Sequence, residues 1–189
     1  MRINKRLHLV IPVTREDGTV LYAHSTPISE EIFDAHFLVI AKTFSAIYAE
    51  GLVPFAGPRV ADKILRRVAR NLGEWDKSDG TPGPAQGLVA EMRRLTNVLA
   101  PGAKGWEMRQ FEEALSAQLI DATDASEIEA ALTFFTVASA MHRRVDLKEI
   151  LEAAAGLWGA RIEYLNCTEY LNSLRTSTEA ASTGATTAA

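Results

Sequence analysis

The chain has a single cysteine, Cys167, among 189 residues, so it can form no internal disulfide. A lone thiol suits a reducing compartment. Aromatic residues make up only 7% while alanine is used heavily, a balance that favours close-packed helices over a sheet core. Positive charge is not in excess: 20 Lys and Arg face 24 Asp and Glu, a net charge of −4. Duplex-binding proteins are more often basic, so nucleic acid is disfavoured as a partner. No stretch approaches the roughly 18 apolar residues of a membrane span. The start, Met1-Arg2-Ile3-Asn4-Lys5-Arg6, is basic and leads into apolar residues, as a secretory signal does. However, His8 and Pro12 break the run and no small-residue cleavage site follows. The expectation is a cytoplasmic protein that is not secreted, in which the sequon Asn166-Cys167-Thr168 carries no glycan.

Motifs for chemistry are also missing. Gly80, Gly83 and Gly87 have the wrong spacing for a dinucleotide loop, and Pro82 and Pro84 remove donors that such a loop needs. Lys104 lies between Gly102 and Gly105, but no Gly-Lys-Ser/Thr follows. The four histidines are His8, His24, His36 and His142, without His-Glu-x-x-His spacing. A hairpin centred on Asp17-Gly18 does not set His8 opposite His24. There is no Gly-x-Ser-x-Gly, and Cys167 has no charged neighbour to activate it. The reading is therefore no enzyme, no cofactor, no metal and no catalytic residue.

What is present is patterning. At 47% hydrophobic and 23% charged residues, the composition is that of a globular protein. A chain this long can bury roughly 70% of its unfolded surface without staples. Leu7, Leu9, Ile11 and Val13 alternate with His8, Val10 and Pro12 and read as a strand. Asp17-Gly18 turns it into a returning strand from Val20 to His24. Ser29 caps a helix to about Glu50, whose stripe of Phe33, Phe37, Ile40, Phe44 and Ile47 faces a core. Further helices are expected from Pro58 to Gly73 and from Ala85 to Ala100. A short extended piece is expected around Trp106, and a short helix around Phe111 to Leu119. Asp124 with Glu127 forms a capping box for a central buried helix through Met141. Asp146 with Glu149 repeats that signal for a helix to Trp158. Thr168 is expected to cap a last helix to about Leu174.

These elements predict a mainly α fold: a compact multi-helix bundle over residues 1–175, an N-terminal β-hairpin at about 7–25, and a disordered Ser/Thr/Ala-rich tail over 176–189. Arginines cluster at Arg66-Arg67-Arg70, Arg93-Arg94 and Arg143-Arg144. The first and third groups lie near helix C-termini, where the dipole favours cations. The functional alternative is a surface for an anionic partner.

Several strings carry a family resemblance. They are Arg6-Leu7-His8-Leu9-Val10-Ile11-Pro12-Val13, Tyr22-Ala23-His24-Ser25-Thr26-Pro27-Ile28-Ser29, and Phe37-Leu38-Val39-Ile40 with Lys42-Thr43-Phe44. Arg94-Leu95-Thr96-Asn97-Val98-Leu99, Met141-His142-Arg143-Arg144 and Leu165-Asn166-Cys167-Thr168 complete the set. Together they resemble the tail assembly chaperones of long-tailed (siphovirus-type) bacteriophages. The resemblance implies a non-enzymatic helper in the host cytoplasm that binds the tape-measure protein before the tail tube forms around it. It also implies a longer, frameshifted form that recruits tail tube protein, and is compatible with a homo-oligomer. Expected client contacts are apolar residues left exposed by the core, in the Leu52-Val53-Pro54-Phe55 loop or around Trp106. The rival readings are a structural virion component, such as a tail or neck subunit using the hairpin for strand addition, and an enzyme of unknown type.

Overall fold

A computed structural model describes residues 7–49, 51, 57–76, 82–102, 105–141, 152, 155–156 and 159–184. The N-terminal hairpin forms as the alternation predicts, from β1 (His8–Thr14) and β2 (Val20–Ser25). Its turn is locked by Arg15 and Thr19, whose backbones meet at 2.9 Å, and by Asp17 Oδ1, which accepts from the Thr19 N–H at 2.8 Å. Gly18 supplies the positive φ of 81° that this turn needs. Arg15 then ties the hairpin to the helical layer: its guanidinium donates to Asp124 Oδ2 at 2.5 and 3.1 Å and to the Leu119 carbonyl.

The hairpin is not an appendage to a helical bundle. It is the middle of a five-stranded antiparallel sheet ordered β4-β3-β2-β1-β5, so the expected mainly α architecture is corrected to mixed α/β. The added strands are β3 (Thr96–Gly102), β4 (Gly105–Gln110) and β5 (Arg161–Glu163). Most of the error lies in one segment. Leu88, Met92, Leu95 and Leu99 have helical spacing, yet the chain leaves the helix at Leu95 and pairs Thr96–Leu99 with Tyr22–Ser25. Thr96 and Val98 are β-branched, and an open edge of β2 was waiting for them. Pairing and burial override a helical period when such a partner exists.

Between β2 and β3 lie α1 (Glu30–Ala35), α2 (Phe37–Ala49), α3 (Gly57–Asn71), a π-helical turn at Ala85–Val89, and α4 (Ala90–Arg94). Ser29 caps α1 as expected, accepting from the Ile32 N–H. The single long helix that was expected is interrupted, because His36 leaves helical geometry (φ −116°, ψ 14°) and ends α1. The break rotates the apolar stripe. Val39, Ile40, Thr43 and Ile47 face the core, whereas Phe37 is left 49% exposed.

After β4 come α5 (Phe111–Ser116) and α6 (Ala122–Met141). α6 is the central buried helix, with Ile128, Leu132, Phe134, Phe135 and Val137 nearly inaccessible. Its capping box sits three residues earlier than expected. Asp121 Oδ1 accepts from the Thr123 and Asp124 N–H groups, and Asp124 Oδ2 accepts from the Asp121 N–H. The helix expected to end at Trp158 falls largely outside the described residues. The last helix, α7 (Cys167–Gly184), is capped by Asn166 rather than Thr168. Asn166 Oδ1 accepts from the Glu169 N–H at 3.0 Å, and Glu169 answers at 2.9 Å. α7 continues to Gly184, beyond the Leu174 end and into the tail expected to be disordered. Once a docked first half has nucleated a helix, each further residue adds a hydrogen bond at little cost.

The sheet is covered on both faces. Leu9, Ile11, Val13, Leu21, Ala23, Val98 and Ala100 join α2, α3 and α6 in the main core. Val10 and Leu99 point the other way and pack with Tyr170 and Leu171 of α7.

Candidate functional site

Three features of the described residues have enough polar or apolar character to act on something else. The first is the layer between the sheet and α7. The register sets Val10 opposite His24, which places His8 on the diagonal. As the turn geometry required, the histidines are not directly opposed, yet their rings meet at 5.0 Å because diagonal neighbours on one face are within reach of long side chains. His24 is 1% exposed, and its Nε2 lies 3.0 Å from the Leu165 carbonyl. A carbonyl only accepts, so Nε2 carries the proton. Tyr170 covers the His24 ring at 5.8 Å, and His8 Nδ1 lies 3.4 Å from Thr26 Oγ1. Burial pushes both imidazoles below their ordinary range, although the Glu163 carboxylate pulls each of them back in part. This is a neutral, packed pair. Among the described residues no three ligand-type side chains converge to hold a metal ion.

Cys167 borders the same layer, its Sγ 3.3 Å from Met108 Sδ. Burial pushes its thiol up to about 11, so it is protonated at neutral pH and is not poised as a nucleophile.

The second feature is a cleft of about 540 Å³ lined in part by Arg66, Trp75, Arg93, Arg94 and Glu112. Two of the three arginine clusters in the sequence meet here, and the fold brings members of both onto one carboxylate. Arg66 Nη2 reaches Glu129 Oε2 at 3.0 Å, and Arg93 holds Glu129 Oε1 through two nitrogens at 3.0 and 2.5 Å. Arg93 also meets Glu112 at 3.1 Å, and Arg94 grips Glu91 with two bonds of 2.7 and 2.8 Å. Arg66 and Arg70 stack on Trp75 at 5.1 and 5.8 Å. Asp62 is the strained member: Oδ2 lies 3.8 Å from Arg66, Oδ1 has no hydrogen-bond partner, and burial raises its pKa. Arg66, Arg93 and Arg94 each hold one or two of Asp62, Glu91, Glu112 and Glu129, while Arg70 rests on the Trp75 ring. An incoming anion would have to displace a carboxylate already in place. The arrangement is therefore a clamp joining α3, α4, α5 and α6, and helix dipoles alone do not explain these arginines. Glu129 was the signal available in the sequence, since a carboxylate at the start of an apolar helical run needs a cationic partner. Arg143 and Arg144 lie outside the described residues, as does His142.

The third feature is apolar surface. On α2, Phe37 and Leu38 are each 49% exposed and Tyr48 41%. Phe37, Ala41, Phe44 and Tyr48 follow one another at spacings of four, three and four, which places them on one side of the helix. Phe37 leans edge-on against Phe33 at 5.7 Å, and Phe44 stacks on Tyr48 at 4.2 Å. Lys42 is the one charged residue of α2. Of the two regions expected to contact a client, Leu52–Phe55 lies outside the described residues, and Trp106 is half-buried against Tyr22 at 5.5 Å. Of the stripe assigned to the core, Phe33, Ile40 and Ile47 are buried and Phe44 packs against them, and Phe37 alone of the five is turned outward, by the break at His36.

The described residues thus form a mixed α/β domain whose outward-looking chemistry is an apolar helix strip, with no helix long and apolar enough to cross a membrane. Comparison with protein-family models, with curated proteins and with solved structures found no match.

Proposed function

We propose that this chain is a non-enzymatic bacteriophage tail assembly chaperone that shelters an apolar helical stretch of the tape-measure protein, in the host cytoplasm, until the tail tube forms around it. The observation that carries the reading is the strip of exposed Phe37, Leu38 and Tyr48 on α2, with half-buried Ala41 and Phe44 between them. A contiguous apolar surface on a soluble domain marks an interaction site more often than chance, and a helix offering anchors at spacings of three and four suits another amphipathic helix. The strings that resemble this chaperone family support it from another side. Those within the described residues map to β1, β2, α2, β3 and the start of α7, so most of the resemblance gathers on the sheet and on the strip itself. Recruitment of tail tube protein belongs to the longer, frameshifted form that the family implies.

The test is co-expression with the tape-measure protein that this reading makes its client. The expected result is a soluble complex that copurifies, lost when Phe37→Asp and Leu38→Asp are combined while the variant keeps its own helical spectrum. A tape-measure protein that is equally soluble alone, or binding indifferent to the double variant, would overturn the reading. A structural virion component, tail or neck, is the second reading; the hairpin expected to add strands is flanked by β3 and β5, and among the described strands β4 and β5 are left as edges. Mass spectrometry of purified virions separates the two, since a chaperone is absent from them.

A further inference from the structure

β4 ends the sheet: it pairs with β3 on one side, and no described strand lies on the other. Its residues are exposed or half-exposed along their whole length. Arg175 of α7 donates to the Trp106 carbonyl at 3.2 and 2.7 Å, so that carbonyl points away from β3. Backbone direction alternates along an antiparallel strand, so the N–H and C=O of Met108 face outward as well. An edge of this kind is a template for another strand. Repeated charge of one sign, proline and bulges are among the devices by which proteins protect edges against pairing. β4 instead carries Glu107 and Arg109, opposite in sign, on one face and 3.8 Å apart.

The geometry points to a second copy of this chain as the occupant, β4 against β4, antiparallel about a two-fold axis at Met108. Outward-pointing residues must face one another, and among such registers the three centred on Glu107, Met108 or Arg109 differ in the charges they set opposite each other. Pairing Trp106 with the partner's Met108 sets Glu107 against Glu107. Pairing Met108 with the partner's Gln110 sets Arg109 against Arg109. Pairing Met108 with Met108 sets each Glu107 against an Arg109, twice over by symmetry. Like charges directly opposite are destabilising and opposite charges are favourable, so the side chains select the third register. The charged pairs then fall at the non-hydrogen-bonded positions, where cross-strand side chains are closest. Met108, 42% exposed in the single chain, meets its own copy beside Cys167 on the opposite face. Arg175 can stay in place, because a carbonyl oxygen has a second lone pair for the partner strand.

Sedimentation equilibrium of the full chain tests this. The expected result is a monomer–dimer equilibrium that weakens roughly tenfold or more in Glu107→Arg and in Arg109→Glu alike, since each puts like charges opposite at both pairs. The Glu107→Arg/Arg109→Glu double variant regains the wild-type constant. An equal mixture of the two single variants forms a heterodimer in preference to either homodimer. Circular dichroism shows that each variant is folded, as expected for exposed positions. A wild-type chain that stays monomeric at its highest soluble concentration would overturn the inference. So would single variants that dimerise unchanged, or a double variant that fails to recover. None of these outcomes depends on the tape-measure protein.

Discussion

On its inner face the sheet gives Leu9, Ile11, Val13, Leu21 and Val98 to a core shared with α2, α3 and α6, whereas on its outer face the buried apolar cluster is Val10 and Leu99 with Tyr170 and Leu171, edged by half-buried Tyr22, Trp106, Cys167 and Leu174 and filled out by two histidines. The inner contact is broad, apolar and closed by ion pairs at its rim, Arg15 with Asp124 and Arg66 and Arg93 with Glu129. The outer contact is small and depends on polar groups held in one protonation state. The difference teaches that one sheet can have a face that defines the fold and a face whose cover is a separable layer. Stability is distributed unevenly across a structure, and segments with few buried apolar contacts open first.

The comparison can be broken most severely from the inside. Ile128 is fully buried in α6, and Ile128→Ala is expected to cost about 3–4 kcal/mol through lost transfer energy and the cavity left behind. Urea denaturation should show the whole midpoint move, and hydrogen exchange should accelerate in α6, α3 and the central strands together. A loss confined to α6 would mean that the inner face is not one cooperative unit.

Leu171→Ala on the outer face is expected to cost about 2 kcal/mol, and the loss should be local. Amide exchange in α7 should rise while the protection of α6 stays near its original level. If α6 loosens equally, the two faces are coupled and the separable layer is disproved.

A smaller effect distinguishes the faces by pH. His8 and His24 have folded-state pKa values lowered mainly by burial, so the unfolded chain takes up protons at about pH 6.5 while the folded chain resists. Their contribution is complete above that point. It is lost as pH falls from about 6.5 toward the depressed folded values, because the unfolded state then binds more protons. Urea midpoints should therefore drop between about pH 7.5 and 5.5, and His24→Gln, which keeps a donor for the Leu165 carbonyl, should flatten that drop. An identical slope in the variant would show that the histidine layer does not control the outer face.

The two faces also differ in how legible they were. The hairpin was readable because residues alternating at period two have few other uses, and Asp17-Gly18 marks its turn. α6 was readable because an apolar run of that length has to be buried. β3 was not. Thr96 to Leu99 continue a helical period from Leu88, and nothing local announces that β2 offers an edge to pair with. The Asp121 and Asn166 caps were displaced by a few residues because several polar residues nearby could serve, and the side chain that caps is chosen by where the helix has to begin. In the α2 stripe one residue was misplaced: Phe37 has a core residue's spacing, and only the turn at His36 carries it to the surface, while Phe33, Ile40, Phe44 and Ile47 meet the core as their spacing requires. The Arg–Glu129 clamp had no motif at all, since its members come from α3, α4 and α6.

The sequence alone determined what depends on near neighbours: the hairpin and its turn, the Ser29 cap, the acidic first turns of α1 and α5, and the buried character of α6. Periodicity and capping act over a few residues, so they can be read in one pass along the chain. Tertiary structure decided what depends on distant partners: a five-stranded sheet in place of a bundle, the diagonal meeting of His8 and His24 under α7, and the exposure of Phe37 and of the β4 edge. Those outcomes were settled by which strand edge and which apolar face found cover, and that competition involves residues far apart in the chain.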